Sequence, residues 1–112
     1  MINILILSCG TRNKIIQYFK ENLLGIGKVI TTDCSSIAPA LYEADKYYIV
    51  PRMVDIGYLE IILDICKKEN ITAVLSLIDP ELSLLAKNIE KFKKLGVTVI
   101  GSNYEACELA LD

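Results

Sequence analysis

Histidine is absent from all 112 residues, which excludes Ser-His and Cys-His catalysis within this chain. The four cysteines, Cys9, Cys34, Cys66 and Cys107, are widely spaced and form no C-x-x-C pair. With no imidazole to complete a ligand set, that is not a zinc-site pattern, and no metal ligands are assigned. Charges interrupt every apolar stretch, so none approaches the ~20 residues that a membrane-crossing helix needs. A soluble protein without a membrane partner is expected. Positive charge is also scarce. Lys and Arg total 12 against 14 Asp and Glu, a formal charge of −2, and they are spread along the chain, which argues against a nucleic-acid partner. The densest basic patch, Lys91, Lys93 and Lys94, falls near the end of an expected helix, where cations suit the macrodipole. Neither a basic start nor a small-residue cleavage site follows Met1, so no signal peptide is read and a cytoplasmic location is expected. Repeats, linkers and low-complexity tracts are missing too. At 53% apolar residues the chain has enough for one core and is too short for two, which predicts a single domain over 1–112.

What is present is organised around residues 2–12, INILILSCGTR. The apolar run is too short for an ordinary helix and suits a strand buried on both faces. It stops at Ser8, Gly10 allows a turn that a Cβ would obstruct, and Thr11 can cap a following helix. The helix is expected over 11–24, with Ile15, Ile16, Phe19 and Leu23 on one face and Gly25 and Gly27 ending it. A second strand over 28–33 ends at Asp33, and Pro39 allows only a short helix or turn within 37–44. Strand three follows over 46–51. Asp55 can cap a helix over 56–69 whose buried stripe is Leu59, Ile62, Leu63 and Cys66, with Asn70 as its stop. The run 71–78, ITAVLSLI, reads as another doubly buried strand. Asp79-Pro80-Glu81 opens the next helix, with Asp79 as cap and Leu82, Leu85, Ala86, Ile89 and Phe92 as its stripe. Gly96 closes that helix before strand five over 97–100, and Ser102 with Glu105 can form a capping box for a last helix over 103–111. Five strand–helix alternations with right-handed crossovers predict a three-layer α/β/α, Rossmann-like domain with a five-stranded parallel sheet.

Ligands of open parallel sheets gather where loops leave the carboxyl ends of strands. The loops 8–12, 33–36 and 79–81 are expected to meet there. They bring backbone N–H groups, the hydroxyls of Ser8, Thr11, Ser35 and Ser36, the cation of Arg12 and the carboxylates of Asp33, Asp79 and Glu81. That mixture complements a small zwitterion bearing an acid and an amine. Each piece also has a plain structural reading: Ser8 and Thr11 as caps, Asp79 as an N-cap, Arg12 as an ion-pair partner of Asp33 or Asp79. Cys9 could have its pKa lowered by a helix N-terminus and could approach Cys34, although a small residue packed in a tight turn is the favoured reading. The first loop lacks G-x-G-x-x-G, and G-x-x-x-x-G-K-[ST] is absent, so no motif here suffices to bind ATP.

Taken together and in order, Ser8, Gly10 and Arg12, then Asp33-Cys34-Ser35, then Asp79-Pro80-Glu81 resemble the N-terminal pre-ATP-grasp domain of ATP-grasp ligases, in the carbamoyl-phosphate-synthase-like branch. The resemblance spans essentially the whole chain. It implies a longer enzyme in which ATP and Mg2+ activate a carboxylate to an acyl-phosphate, which an amine or similar nucleophile then attacks. The ATP-grasp domain that binds the nucleotide would follow Asp112. This chain would then be the N-terminal fragment of a longer ligase, holding no cofactor and no catalytic residue, and inactive alone. Its role would be a substrate-side wall for a small carboxylate or amino acid, with Ser8, Cys9, Gly10, Arg12, Asp33, Asp79 and Glu81 as substrate-binding residues and a homodimer as an admissible assembly. The alternative is a non-catalytic Rossmann-like module that binds a nucleotide or a small acid.

Overall fold

A computed structural model describes residues 1–101; the expected last helix, its Ser102/Glu105 capping box and Cys107 lie outside them. Five strands, β1 (Ile2–Leu7), β2 (Gly27–Asp33), β3 (Lys46–Ile49), β4 (Ala73–Ser76) and β5 (Thr98–Val99), form one sheet in the order β3-β2-β1-β4-β5. Every pairing is parallel. The helices are α1 (Asn13–Asn22), α2 (Tyr58–Lys68), α3 (Asp79–Lys87) and α4 (Ile89–Lys93), with a single 3-10 turn at Pro39–Glu43 between β2 and β3.

The central strand explains the layering. Side chains alternate across a strand, and β1 sends Ile4 and Ile6 to one face and Leu5 and Leu7 to the other, all buried. The first face packs on Ile16, Phe19 and Leu23 from α1 and its end, and on Ala40 and Leu41 of the 3-10 turn. The second packs on Tyr58, Ile62, Ile65 and Cys66 of α2, Leu85 of α3 and Phe92 of α4. Cys66 is thus a core residue, as expected, and burial pushes its thiol up to about 12. Asn3 fixes the register at the start of β1. Its amide donates to the carbonyls of Glu69 (3.0 Å) and Asn70 (3.3 Å), and its oxygen accepts the Lys28 N–H (3.1 Å).

The structure corrects several local expectations. Gly25, at φ +80, lies in the turn after α1, whose C-cap is Leu23, and Gly27 begins β2 opposite Ile2, where an added Cβ would lie 1.4 Å from the Ile2 carbonyl oxygen. Thr11 is exposed and caps nothing; α1 starts after Arg12, whose N–H returns to the Cys9 carbonyl at 3.0 Å. Asp55 accepts the Arg52 N–H (3.0 Å), and the residue preceding α2 is Gly57 at φ +89. Tyr58 and Ile65 displace Leu59 and Leu63 from the fully buried stripe. The expected long helix after Asp79 is two helices. Asn88 breaks it because its side-chain amide takes the Leu84 carbonyl (2.8 Å), while its backbone N–H bonds Leu85 instead (3.1 Å). Ala86, within α3, and Ile89, beyond the break, are both exposed.

Candidate functional site

The strand order reverses direction of growth at β1: the chain runs outward to β2 and β3, then crosses back to β4 and β5. Loops after β1 and β4 therefore diverge at their carboxyl ends, the usual place for a ligand crevice in open sheets. At this edge the β1 loop is tightly held. Ser8 (φ +53) and Gly10 (φ +52) both adopt left-handed backbone, unusual for a non-glycine residue such as Ser8. The Cys9 N–H donates to the Thr32 carbonyl (3.1 Å), and the Gly10 N–H donates to Asp33 Oδ2 (2.8 Å). The other oxygen of Asp33 accepts the Ser35 N–H (3.0 Å). Asp33 thus clasps the β1 and β2 loops together.

Glu81 performs the same task between β1 and β4, from the first turn of α3. Its side chain is fully buried. Ser8 Oγ (2.6 Å) and Ser76 Oγ (2.7 Å) donate to its Oε1, and the Tyr58 hydroxyl donates to its Oε2. Burial, reinforced by the Glu81 carboxylate, pushes the Tyr58 phenol far above its ordinary range, so the hydroxyl keeps its proton. Asp79 is exposed and is the first residue of α3 rather than its cap; the preceding residue is Ile78, whose N–H is taken by Ser76 Oγ (3.2 Å).

The three expected loops do meet, but their side chains divide. Cys9 is buried in the core, and burial and then the Asp33 charge push its thiol up to about 11, in keeping with the favoured reading of a small residue packed in a tight turn. Cys34 is exposed and Cys9 buried, and both are free thiols. Arg12 stands exposed at the start of α1, and among the described residues the one ion pair within 4.0 Å is Lys46 with Glu69, so Arg12 has no such link to Asp33 or Asp79. A small pocket of about 130 Å3 opens beside Ser8, with Cys34, Arg52, Met53, Tyr58 and Ile78 around it.

Tyr58, Ser76, Arg52 and Met53 were not indicated by the sequence. Ser76 carried the one usable signal, a hydroxyl in the otherwise apolar LSLI run. Thr32 is a further surprise: among the described residues its Oγ1 is the buried side-chain polar atom with no hydrogen-bond partner. An unpaired buried hydroxyl is destabilising. Thr32→Val, similar in shape, is therefore expected to leave stability unchanged or raise it by about 1 kcal/mol in urea melts; a loss of that size would mean the hydroxyl is satisfied in solution.

The family described as PylC-like, N-terminal domain matches residues 4–100. No curated protein sequence matches the chain. Among solved structures, a complete multifunctional pyruvate carboxylase from Rhizobium etli superposes with a TM-score of 0.61 at 18% identity, over 96% of this chain and 12% of that one. N5-carboxyaminoimidazole synthetase from Staphylococcus aureus gives 0.53 at 14% identity, over 88% and 23%. dTDP-glucose 4,6-dehydratase from Bacillus anthracis, solved with NAD, gives 0.55 at 15% identity, over 88% and 36%. At such identities the likeness is one of fold, and the chain spans little more than a third of the longest-covered of these proteins.

Proposed function

The chain belongs to the PylC-like N-terminal domain family, and from that premise we propose that it is the substrate-side module of a longer ATP-grasp carboxylate ligase. The observation that carries the reading is the family match over residues 4–100, on a sheet whose β1, β2 and β4 loops are clasped into one edge by Asp33 and Glu81. In this reading the longer protein uses ATP and Mg2+ to turn a carboxylate into an acyl-phosphate for attack by an amine or similar nucleophile. This chain supplies a rigid wall of the substrate cleft, with Ser8 and Gly10 in its fixed loop and Arg12 and Asp79 on its rim.

Two backbone donors of the β1 loop are not available to a nucleotide's phosphates. A phosphate cradle needs free backbone N–H groups, and those of Cys9 and Gly10 are occupied by the Thr32 carbonyl and Asp33. Among the described residues no group of three or more Cys, Asp or Glu side chains is placed to hold a metal ion. In this reading ATP and Mg2+ are held by the domain proposed to follow this one. The same occupied N–H groups count against a free-standing nucleotide-binding module.

Two measurements test the proposal. Calorimetric titration of this chain with Mg-ATP is expected to show no binding in the low micromolar range, about −8 kcal/mol; tight binding would move the nucleotide site into this chain and overturn the division of labour. The longer protein is expected to release ADP only when a carboxylate substrate is supplied. Carboxylate-independent turnover, or none with any amino acid or small acid, would remove the ligase reading.

A further inference from the structure

β3 ends the sheet on one side with β2 as its neighbour, so its outer edge is a row of N–H and C=O groups that no strand covers among the described residues. Proteins ordinarily guard such an edge with a proline, a bulge or a lysine. Here Lys46–Ile49, KYYI, holds no proline, and the charge of Lys46 is drawn to Glu69 of its own chain at 2.8 Å. What the edge shows instead is apolar. Side chains two residues apart share a face of a strand, and on one face of β3 Tyr47 is 44% exposed and Ile49 48%. Tyr42, from the 3-10 turn, extends that surface, for it is itself exposed and meets the Tyr47 ring in a T-shaped contact at 4.9 Å between centroids. The two ends of the strand differ in sign. Glu43 lies three residues before its start, and Arg52 lies three after its end, exposed and with no carboxylate within 4.0 Å among the described residues.

We propose that this edge is the interface with a second copy of the chain, in which two β3 strands pair antiparallel about a two-fold axis and join two five-stranded sheets into one. The patch complements itself. An antiparallel partner reverses the strand, so the acidic end of each β3 lies against the basic end of the other, and Glu43 comes beside Arg52 of the second copy. A parallel partner would set like charges together at both ends, which opposes it. Because the axis stands perpendicular to the joined sheet, Tyr47 and Ile49 of both copies fall on the same face and cover one another, with a Tyr42 ring on each flank. Aromatic and β-branched side chains in cross-strand contact are what stabilise paired strands. A two-fold axis also closes the assembly at two chains through this edge, since each copy then has its β3 covered. The formal charge of −2 per chain sets little long-range repulsion against it. With a strand of four residues the contact is small, and its affinity is modest.

Sedimentation equilibrium of the chain, from about 10 μM to about 1 mM, tests the proposal. A monomer–dimer equilibrium with a dissociation constant of about 100 μM is expected, in keeping with a small interface. Tyr47→Lys, which puts an unpaired charge on the shared face, should leave the chain monomeric throughout that range. Arg52→Glu sets two acids side by side and should weaken the dimer about tenfold, as should Glu43→Arg, while the two changes in one chain exchange the charges and should bring the constant back within about threefold of its starting value. That rescue is a readout which loss of folding in a single variant cannot imitate. A monomer at about 1 mM would overturn the proposal and leave the β3 edge to another part of the longer protein. Growth beyond the dimer would remove the two-fold axis, and a dimer indifferent to Tyr47→Lys and to both charge reversals would place the interface elsewhere. None of these results bears on the ligase reading, which is decided by carboxylate-dependent ADP release from the longer protein.

Discussion

Glu81→Ala is expected to lower the unfolding free energy by about 3–5 kcal/mol, because it strands several hydroxyl donors at once. Ser8, Ser76 and Tyr58 all spend their hydrogens on this carboxylate, and Tyr58 is itself buried. Glu81→Gln keeps one acceptor oxygen and should cost less, about 1–2 kcal/mol. Urea melts of the two variants give the comparison. A loss below about 1 kcal/mol for Glu81→Ala would mean that the three hydroxyls find other partners in solution. The β1 loop should also loosen, since the Ser8 bond is one of those holding its left-handed backbone, and faster amide exchange at residues 8–10 would report it.

Ile62→Ala and Leu85→Ala are each expected to cost about 2–5 kcal/mol, the range for truncating a packed aliphatic side chain. Both are 1% exposed and lie in the same core cluster, one on α2 and the other on α3. Ile89→Ala is the control, because that residue, 46% exposed, lies beyond the Asn88 break; its cost should stay below about 1 kcal/mol. Equal losses at all three positions would contradict the division of α3 from α4.

The contrast between Leu85 and Ile89 marks how far the sequence alone could be read. Periodicity places both on one stripe of a continuous helix, and only the competition of the Asn88 amide for the Leu84 carbonyl separates them. Strand identities and the parallel order were legible because doubly buried runs such as ILIL and AVLS have few other uses. Caps were less legible. Thr11, Asp55 and Asp79 all carry capping side chains, yet none caps its helix, since Gly57 and the tight Cys9–Arg12 turn set the chain direction first. At the site, the meeting of the three loops follows from topology. What the side chains do there does not, because Tyr58 and Glu81 are 23 residues apart and Ser8 and Glu81 are 73 apart. Asp33 and Glu81 look like ligands in a motif, but their hydrogen-bonding capacity is largely taken up inside the protein.

The central position of β1 has a kinetic consequence. Of the five strands of the sheet it is synthesised first, yet it pairs with β2 on one edge and with β4 on the other, where Ile4 meets Ala73. One edge can close as soon as β2 is made; the other must wait until β4 has been made. Pairing over such separations closes slowly, because loop-closure entropy opposes it before the contacts form. During that interval a strand with five buried residues presents an open row of N–H and C=O groups, the kind of edge that recruits other chains. A ribosome-bound nascent chain halted before β4 should therefore be more aggregation-prone than one halted after it, and its yield should improve sharply once residues 73–76 have emerged.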